Sequence, residues 1–314
     1  MDVRHLDLLR ELALRGSVTE VARATHRTPS AVSQQLKAAQ REFGMALAEP
    51  SGRGLRLTEA GRVLAEGGAT VATAIEQVRA QWDSFRGEPS GTVTVAALPS
   101  AATFMLAAVL RDIEGSAIEI RCSDIDIAEA AYAALAADND IVIAHSFTGV
   151  RPAGAGSLHV QPLAREPLDV AMAADHPLAA KSAVRTEDLV DCEWIGVPKG
   201  YPFDSVLESI ERATGASLQV SQRLRDNRLV ESLVAGSRRI AVLPRFTTPT
   251  GTGLVLREIA DIPTRRHITA ILRPDRAERL AVKRVLDAFE RVAADVERRH
   301  RRSASGLRAP GGGR

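Results

Sequence analysis

The chain contains 314 residues, of which 45% are hydrophobic and 4% aromatic, and its formal net charge at pH 7 is +2. This length accommodates a small domain with one or two further compact units, whose cores must be built mainly from aliphatic side chains. Because neither a secretory signal nor an apolar run of membrane-spanning length occurs in the sequence, we expect a cytoplasmic protein without membrane contact.

Residues 17–40 predict two short helices joined by a tight turn. Ser17 begins the first helix and Glu20 follows three residues later, which is the spacing of a capping box: the hydroxyl accepts from a free amide, and the carboxylate accepts from the amide of the cap residue. Thr28 caps the second helix, with Pro29 at its first position, where a missing N–H costs nothing. This layout is typical of a helix-turn-helix, whose second helix lies in the major groove of DNA.

The second helix of this pair presents small polar side chains on its outward face. Apolar residues recur at helical spacing on the opposite face, which leaves Ser30, Ser33, Gln34 and Lys37 outward. Amide and hydroxyl groups pair with base edges, whereas Lys37 and Arg27 are placed for phosphates. The alternative is a solvated face on an ordinary helical domain.

A short hairpin is predicted in the segment SGRGLRLTEAG, residues 51–61. Arg53 occupies its turn-rich tip, and Leu55 and Leu57 alternate with a polar residue as in a strand. A hairpin beside a helix-turn-helix is a wing, and an arginine at its tip can enter the narrow minor groove; otherwise it is a surface arginine in a loop. The predicted DNA-contacting residues are therefore Arg27, Thr28, Pro29, Ser30, Ser33, Gln34, Lys37 and Arg53.

A long helix is predicted from Thr58 to Phe85, with Thr58 as its cap. Apolar side chains recur every seven residues in two interleaved series, and the segment GEPSG, residues 87–91, breaks the chain directly afterwards. A rod with an apolar stripe needs a partner, so we expect a dimerisation helix; the alternative is a bundle helix inside one domain. The predicted seam comprises Leu64, Val71, Ile75, Val78, Trp82 and Phe85.

Strand and helix patterns alternate beyond residue 91, which predicts parallel sheets with crossover helices. In open α/β sheets, ligands bind at the carboxyl ends of strands, beside helix N-termini. Three such turns are candidate ligand sites. They contain Ser100 and Ala101, His145 and Ser146, and Lys199 and Tyr201.

These ligand-site candidates each have an alternative explanation. Ser100 and the free amides behind it can hold a carboxylate or phosphate, or Ser100 is only a helix cap. His145 is either a structural hydrogen-bonding residue or a protonation switch. Lys199 either contacts a ligand or is solvated, and Arg238 with Arg239 either lines an anion site or lies in water.

The chain resembles the LysR-type transcriptional regulators in HLDLLRELALRGSVTE, TPSAVSQQLK, the turn at Gly44 and GLRLTEAG, and more weakly as far as residue 297. It departs from the family where Ala39 and Gln40 replace the usual Leu-Glu. It departs again at residues 47–50, LAEP, where the family has a Leu-Phe pair followed by Arg. The second departure affects the local backbone contact before the wing and does not touch the recognition helix.

The resemblance implies an α+β/α/β multi-domain fold: an N-terminal winged helix-turn-helix, a long linker helix and a two-lobed α/β periplasmic-binding-protein-like effector domain. The corresponding boundaries are 1–58 for the head, 59–87 for the linker, 88–297 for the effector domain (lobe one 91–164 and 267–297, lobe two 165–266) and 298–314 for a basic disordered tail. The resemblance also implies dimers formed through the linker, often assembled as tetramers. The three turns named above coincide with positions where the family's inducer-contacting residues cluster.

A ligand-responsive bacterial transcription factor is the function that these features predict together. We expect the protein to bind double-stranded DNA and a small-molecule effector, for which an anion is one candidate. We also expect a homodimer or homotetramer, and RNA polymerase is a further candidate partner. It is expected in the cytoplasm, at the nucleoid. No motif for nucleophilic, phosphate-loop or zinc chemistry occurs in the sequence, so no catalytic, metal or cofactor site is predicted. The alternatives are an architectural DNA-binding protein without a ligand and a solute-binding module.

Cys122 and Cys192 are far apart in the sequence and are expected in different lobes. They are interpreted as inert buried thiols in a reduced compartment; the alternative is a redox switch, which requires the two sulfurs to lie close together.

Overall fold

The computed structural model describes residues 1–52, 54–251 and 253–306. At its N-terminus a helix-turn-helix is preceded by one helix and followed by a hairpin, and we call this unit the head. Its elements are α1 (Val3–Arg15), α2 (Val18–Ala24), α3 (Pro29–Phe43), β1 (Ala48–Ser51) and β2 (Gly54–Leu57). The two strands pair antiparallel, so the predicted wing is present. Arg53, predicted at its tip, lies outside the described residues.

Side-chain caps begin both helices of the helix-turn-helix. Ser17 Oγ accepts from the Glu20 amide at 3.0 Å, and Thr28 Oγ1 accepts from the Ala31 amide at 3.2 Å. The second half of the predicted capping box is wrong. The Glu20 carboxylate accepts from Arg23 at 2.8 Å, because a guanidinium one turn away offers a charged donor. The head encloses an aliphatic core that includes Leu8, Leu9, Leu12, Val21, Val32, Leu36 and Leu47.

The long helix α4 (Glu59–Arg86) leaves the head after its cap, where Thr58 Oγ1 accepts from the Gly61 amide at 3.1 Å. Its first half lies close against the head. A Cβ added at Gly61 would come within 2.0 Å of a backbone carbonyl oxygen, and one added at Gly68 within 2.6 Å of the carbonyl oxygen of Leu6. Small residues therefore set the distance at which α4 packs on the head.

Two α/β lobes follow α4. Their regular elements are β3 (Ser90–Ala97), α5 (Pro99–Asp112), β4 (Ala117–Asp124), β5 (Ile141–Ser146), β6 (His159–Ala173), β7 (Ala183–Val184), β8 (Glu193–Gly196), α6 (Asp204–Thr214), β9 (Gln219–Arg223), α7 (Asn227–Ala235), β10 (Ile240–Pro244), β11 (Leu254–Ile259), β12 (Arg265–Leu272), α8 (Pro274–Glu278) and α9 (Leu280–Gly306). Short 3₁₀ helices cover Glu129–Ala137, Pro177–Ala180 and Thr186–Leu189.

A single path of hydrogen-bonded strands passes through both lobes of the described chain, in the order β4-β3-β5-β12-β6-β10-β8-β9. β3 is parallel to β4 and β5, and β8 is parallel to β9 and β10. β12 is antiparallel to both β5 and β6, and β6 is antiparallel to β10. The 15-residue strand β6 thus belongs to both lobes, since its first part pairs with β12 and its second part with β10.

Each lobe has its own core of aliphatic and aromatic side chains. In lobe one the buried set includes Val95, Met105, Val109, Ile141, Ile143, Ile268, Val285 and Phe289. In lobe two it includes Leu168, Met172, Trp194, Leu207, Ile210 and Ile240. The predicted fold class, a winged head followed by a linker helix and a two-lobed α/β domain, is confirmed.

The C-terminal helix is longer than the sequence predicted. α9 continues to Gly306, so the prediction that a disordered tail begins at residue 298 is wrong for 298–306. The extension is anchored because the His300 ring lies 4.8 Å from that of Phe246, centroid to centroid, and Glu297 accepts from the Arg165 amide. Residues 307–314 lie outside the described part. Among the helices that the structure describes, none combines the length and apolar character that a membrane span requires.

Candidate functional site

The outward face of α3 is open to solvent. Val32, Leu36 and Ala39 are buried against the head core, and the opposite face projects away from it. Thr28, Pro29, Ser30, Gln34 and Lys37 are exposed and Ser33 is partly exposed. The predicted DNA-contacting residues of this helix therefore lie together on an accessible surface.

The turn before α3 is fixed by backbone conformation and by hydrogen bonds. His26 has a φ of 53°, the left-handed region that a non-glycine residue seldom adopts. Arg27 Nη1 donates to Gln35 Oε1 at 2.5 Å, and Gln35 Nε2 donates to the Arg4 carbonyl on α1 at 2.7 Å. Arg27 is exposed at the edge of the α3 face, with its guanidinium already held on α3.

The C-terminal half of α4 carries an exposed apolar stripe. Ile75, Val78, Trp82 and Phe85 expose 38–83% of their surface, and the rings of Trp82 and Phe85 stack with centroids 5.8 Å apart. Leu64, predicted in this seam, instead packs against the head core, because the first turns of α4 cross α1. We use the term α4 stripe for the four exposed residues.

A cavity of about 380 Å³ lies between the two lobes. Ser100, His145 and Tyr201 line it, as predicted from the strand-to-helix turns. Ser100 lies on α5, His145 on β5 and Tyr201 in the loop before α6, so only folding brings them together.

The other three predicted ligand contacts do not line the cavity. Ala101 is fully buried in the core of lobe one. Ser146 follows His145 on β5, and because successive strand side chains point to opposite faces, it faces away from the cavity; its Oγ accepts from the Thr148 amide at 3.2 Å. Lys199 is exposed outside the cavity.

Two alternatives that the sequence left open are decided at the cleft. Ser100 is not a helix cap, since α5 begins at Pro99 and Leu98 occupies the cap position without a side-chain bond. Pro99 has no N–H and the Ala102 amide donates to the Leu98 carbonyl at 3.0 Å, so the α5 amides without an intrahelical acceptor are those of Ser100 and Ala101, of which Ser100 lines the cavity. Arg239 donates to Glu193 at 2.8 Å on the surface of lobe two, so the predicted arginine pair forms no part of this site.

Arg266 is the main cleft residue that sequence reasoning missed. It is 2% exposed, its Nε and Nη2 donate to Glu166 Oε2 at 2.9 and 2.5 Å, and Nη2 also donates to Ser100 Oγ at 2.6 Å. Its guanidinium carbon lies 5.2 Å from the Phe203 ring centroid. The sequence did contain one indication of its position. Side chains two residues apart on a strand point to the same face, so Arg266 on β12 faces the core with Ile268.

His145 is a neutral side chain in this environment. It is 1% exposed, and burial, followed by the charge of Arg266, lowers its pKa to about 3. The rings of Tyr132 and Phe147 contact it edge-on, with centroids 5.6 and 6.0 Å away. Its Nδ1 has no hydrogen-bond partner within the described residues. The lowered pKa keeps the His145 ring neutral near pH 7.

The rim of the cleft carries charges of both signs. The Arg225 guanidinium lies 4.6 Å from the centroid of the Tyr201 ring. Burial raises the pKa of Asp126, and the charge of Arg225 opposes that shift. Arg228 Nη1 donates to Glu231 Oε2 at 2.9 Å. The cavity thus offers hydrogen-bonding and ionic groups at its rim and a buried cation at its base.

Two family models match this chain over most of its length. The model described as the bacterial regulatory helix-turn-helix protein, lysR family, matches residues 3–62, and the LysR substrate binding domain matches residues 86–294. The chain belongs to the LysR family of transcriptional regulators. The head and α4 therefore precede a domain of the kind that binds small molecules in this family.

Full-length relatives of this LysR-type regulator are also transcriptional regulators. It is 24% identical over 284 residues to the transcriptional dual regulator GltC of Bacillus subtilis (strain 168), an alignment that covers 88% of this chain and 92% of GltC. It is 24% identical over 287 residues to the RuBisCO operon transcriptional regulator of Allochromatium vinosum, covering 90% and 92% of the two chains.

Solved structures share the fold of this regulator at low sequence identity. Full-length OxyR from Pseudomonas aeruginosa aligns with a TM-score of 0.57 at 17% identity, covering 92% of this chain and 98% of OxyR. CbnR in complex with its target DNA aligns with a TM-score of 0.52 at 18% identity, covering 93% and 100%.

The two cysteines of the regulator lie in different lobes, Cys122 on β4 and Cys192 before β8. Burial raises the pKa of both thiols, and nearby carboxylates add to the shift. Because the thiolate is the reactive form, both environments disfavour oxidation.

Proposed function

We propose that this regulator binds promoter DNA as a dimer and that a small molecule in the interlobe cleft changes how its two heads are placed. The observation that carries the proposal is the combination, on one chain, of an open α3 face, an exposed α4 stripe and a cavity between two lobes. Each of these surfaces suits a different kind of partner: DNA, a second copy of the chain and a small molecule.

The α3 face supports recognition in the major groove. Gln34 and the hydroxyls of Ser30 and Ser33 suit base edges, and Lys37 suits a phosphate. One head contacts a single half-site, so two heads joined through the α4 stripe gain affinity by linkage, and the DNA site is expected to be an inverted repeat.

The α4 stripe supports self-association because Val78, Trp82 and Phe85 are large, apolar and more than half exposed. A coiled-coil contact with a second α4 would cover them. A tetramer would require additional contacts between effector domains. The measured mass of the DNA-free protein distinguishes a dimer from a tetramer.

The cleft supports a small effector. A volume of about 380 Å³ is near the lower end of the range for small-molecule pockets. Ser100 and the free amides of α5 suit an anionic group, and neutral His145 offers a hydrogen bond without charge. The effector must bind one arrangement of the dimer more tightly than the other, since equal affinity would shift nothing.

The test combines thermal shift with footprinting. A panel of carboxylates, amino acids and phosphorylated metabolites is screened for a rise in melting temperature, and each hit is added to footprints on promoter fragments from the protein's own chromosome. We expect two protected half-sites whose pattern changes with at least one hit. Ser100→Ala should lose the thermal shift, whereas Lys199→Ala, outside the cavity, should keep it.

The two halves of the proposal fail separately. If no compound changes stability or footprint, the effector half is wrong. If protection does not exceed that on competitor DNA at the same salt concentration, the protein acts as an architectural DNA-binding protein instead of a sequence-specific regulator.

A further inference from the structure

An ion cluster joins the head to lobe one within the same chain. Arg273, just before α8, donates from Nη1 to Glu11 Oε1 on α1 at 3.0 Å and from Nη2 to Asp275 at 2.7 Å. Arg10 on α1 donates to the same Asp275 at 2.9 Å. We call Arg10, Glu11, Arg273 and Asp275 the head–lobe latch.

The latch is largely buried and each of its charged groups is paired. Glu11, Arg273 and Asp275 are 7%, 5% and 8% exposed. Arg10 and Arg273 both donate to Asp275, and Glu11 accepts from Arg273 and, at 3.0 Å, from Arg15 Nε, so each carboxylate in the latch has two guanidinium partners. At its edge, Arg15 adds a second link from α1 to lobe one, donating to Asp138 at 2.9 Å and to the Ala137 carbonyl at 3.1 Å.

The lobe-one side of the latch is tied to the strand that leads into the cleft. Arg276 and Arg279 follow the latch residue Asp275 in the chain. They donate to the buried carboxylate of Asp140 at 3.0 and 2.7 Å, respectively. The same carboxylate accepts from the amide and hydroxyl of Thr94 on β3 at 2.9 and 3.0 Å. β3 ends beside Leu98 and Ser100, which line the effector cavity.

We propose that the head–lobe latch is an ionic contact that can open and close. While it is closed, the orientation of the head follows the position of lobe one. An ionic contact suits this role because buried ions lose hydration that they regain when they separate, so the closed and open states differ less in free energy than for an apolar interface. The α3 face stays exposed with the latch closed, so the latch orients the head without blocking DNA. This regulation goes beyond the proposed function, and its test needs neither DNA nor effector.

The experiment measures the distance between head and lobe one by pulsed electron paramagnetic resonance. Spin labels are placed on cysteines introduced at exposed Met45 and Glu114 in a chain carrying Cys122→Ala and Cys192→Ala. Labelled chains are diluted in unlabelled ones, so only distances within one chain are detected. We expect one narrow distance distribution for the otherwise unchanged protein.

Breaking the latch should release the head. Arg273→Gln removes the cation between Glu11 and Asp275, and the population outside the narrow distribution should rise at least about tenfold. Arg121→Gln is the matched control: it removes an arginine from an exposed pair with Glu119 inside lobe one, and its distance distribution should not change.

A second variant keeps the proposal testable if Arg273→Gln fails to fold by circular dichroism. Glu11→Gln preserves the shape of the side chain on the other side of the contact and removes its charge. An unchanged narrow distribution in Glu11→Gln, or in a folded Arg273→Gln, overturns the latch and leaves the proposed function untouched.

Discussion

Individual side chains at the cleft have properties that their neighbours impose. His145 would titrate near neutrality in water, but burial and the charge of Arg266 keep it neutral. Arg266 is buried and charged, which is tolerated because Glu166 and Ser100 accept its hydrogen bonds. In the cleft, the charged guanidinium of Arg266 therefore lies near an imidazole ring, that of His145, which stays neutral.

The neutral state of His145 predicts a dependence of stability on pH. Between pH 6.5 and about 3 the unfolded chain binds a proton at residue 145 that the folded chain does not, so the free energy of unfolding falls as the pH falls through this window. From pH 8 to pH 5 the loss should be about 2 kcal/mol. His145→Phe should remove that part of the loss, measured by urea unfolding at both pH values.

The comparison with His145→Phe isolates one histidine. Burial also lowers the pKa of His176 and His300, and because both remain in the variant, their contributions cancel in the difference. Equal pH dependence in the two proteins would contradict the assignment.

Gln34 and Lys37 lie one helical turn apart on α3 and should affect DNA binding differently. Gln34→Ala should reduce discrimination between bases by about 1–3 kcal/mol at one position of the site. Lys37→Ala should weaken binding to all sequences and reduce the salt slope by about 1. Titrations against specific and nonspecific DNA at several salt concentrations measure both, with exposed Gln81→Ala on α4 as control. Identical effects of the two α3 variants would argue against this orientation.

At the scale of elements, the contact between α1 and α4 depends on the absence of a side chain. Gly68 and Gly67 are neighbours on α4, but only Gly68 faces the carbonyl of Leu6. A helix interior otherwise disfavours glycine, so packing, and not helix propensity, explains Gly68.

Gly67→Ala and Gly68→Ala form a matched pair. Nothing lies within 4 Å of a Cβ at Gly67, so alanine there should raise the free energy of unfolding by about 0.5–1 kcal/mol. At Gly68 the 2.6 Å approach to backbone should lower it by about 1–3 kcal/mol, because α1 and α4 must separate. Urea unfolding at one protein concentration measures both, and a stabilised Gly68→Ala would show that the helices are less closely packed.

For the whole molecule, the α4 stripe is the surface on which assembly is proposed to depend. Phe85 and Val78 are 83% and 65% exposed, which is unusual for side chains of this size unless a partner covers them. In the sequence the head precedes α4 and the effector domain follows it, so contacts along α4 would hold two heads at a set separation.

Val78→Glu should convert the protein to monomers and lower its affinity for a two-half-site fragment by at least about a hundredfold, since linkage between heads is lost. Light scattering reports the mass and a gel-shift titration the affinity. Val150→Glu introduces the same charge at an exposed valine in a loop of lobe one and should leave both unchanged. A dimeric Val78→Glu protein would place the assembly surface elsewhere.

Three residues of the cleft were predictable from the sequence, and the failures have specific causes. Ser100 and Tyr201 follow strands and His145 lies near the carboxyl end of β5, and the carboxyl-end rule identifies such positions from sequence. Ala101 and Ser146 were wrong because the rule locates a turn but not the direction of each side chain. Arg266 was missed because its partners, Glu166 and Ser100, are 100 and 166 residues away in the chain.

The sequence by itself determined the helix-turn-helix, its caps, the wing and the long helix, because those depend on hydrogen bonds and periodicities within a few residues. Only the tertiary structure decided that Leu64 and Gly68 pack against the head and that α9 continues past residue 297. It alone joined Glu11 to Arg273 across 262 residues. Periodicity can indicate that a charged residue is buried, but it does not identify a partner that lies hundreds of residues away in the chain.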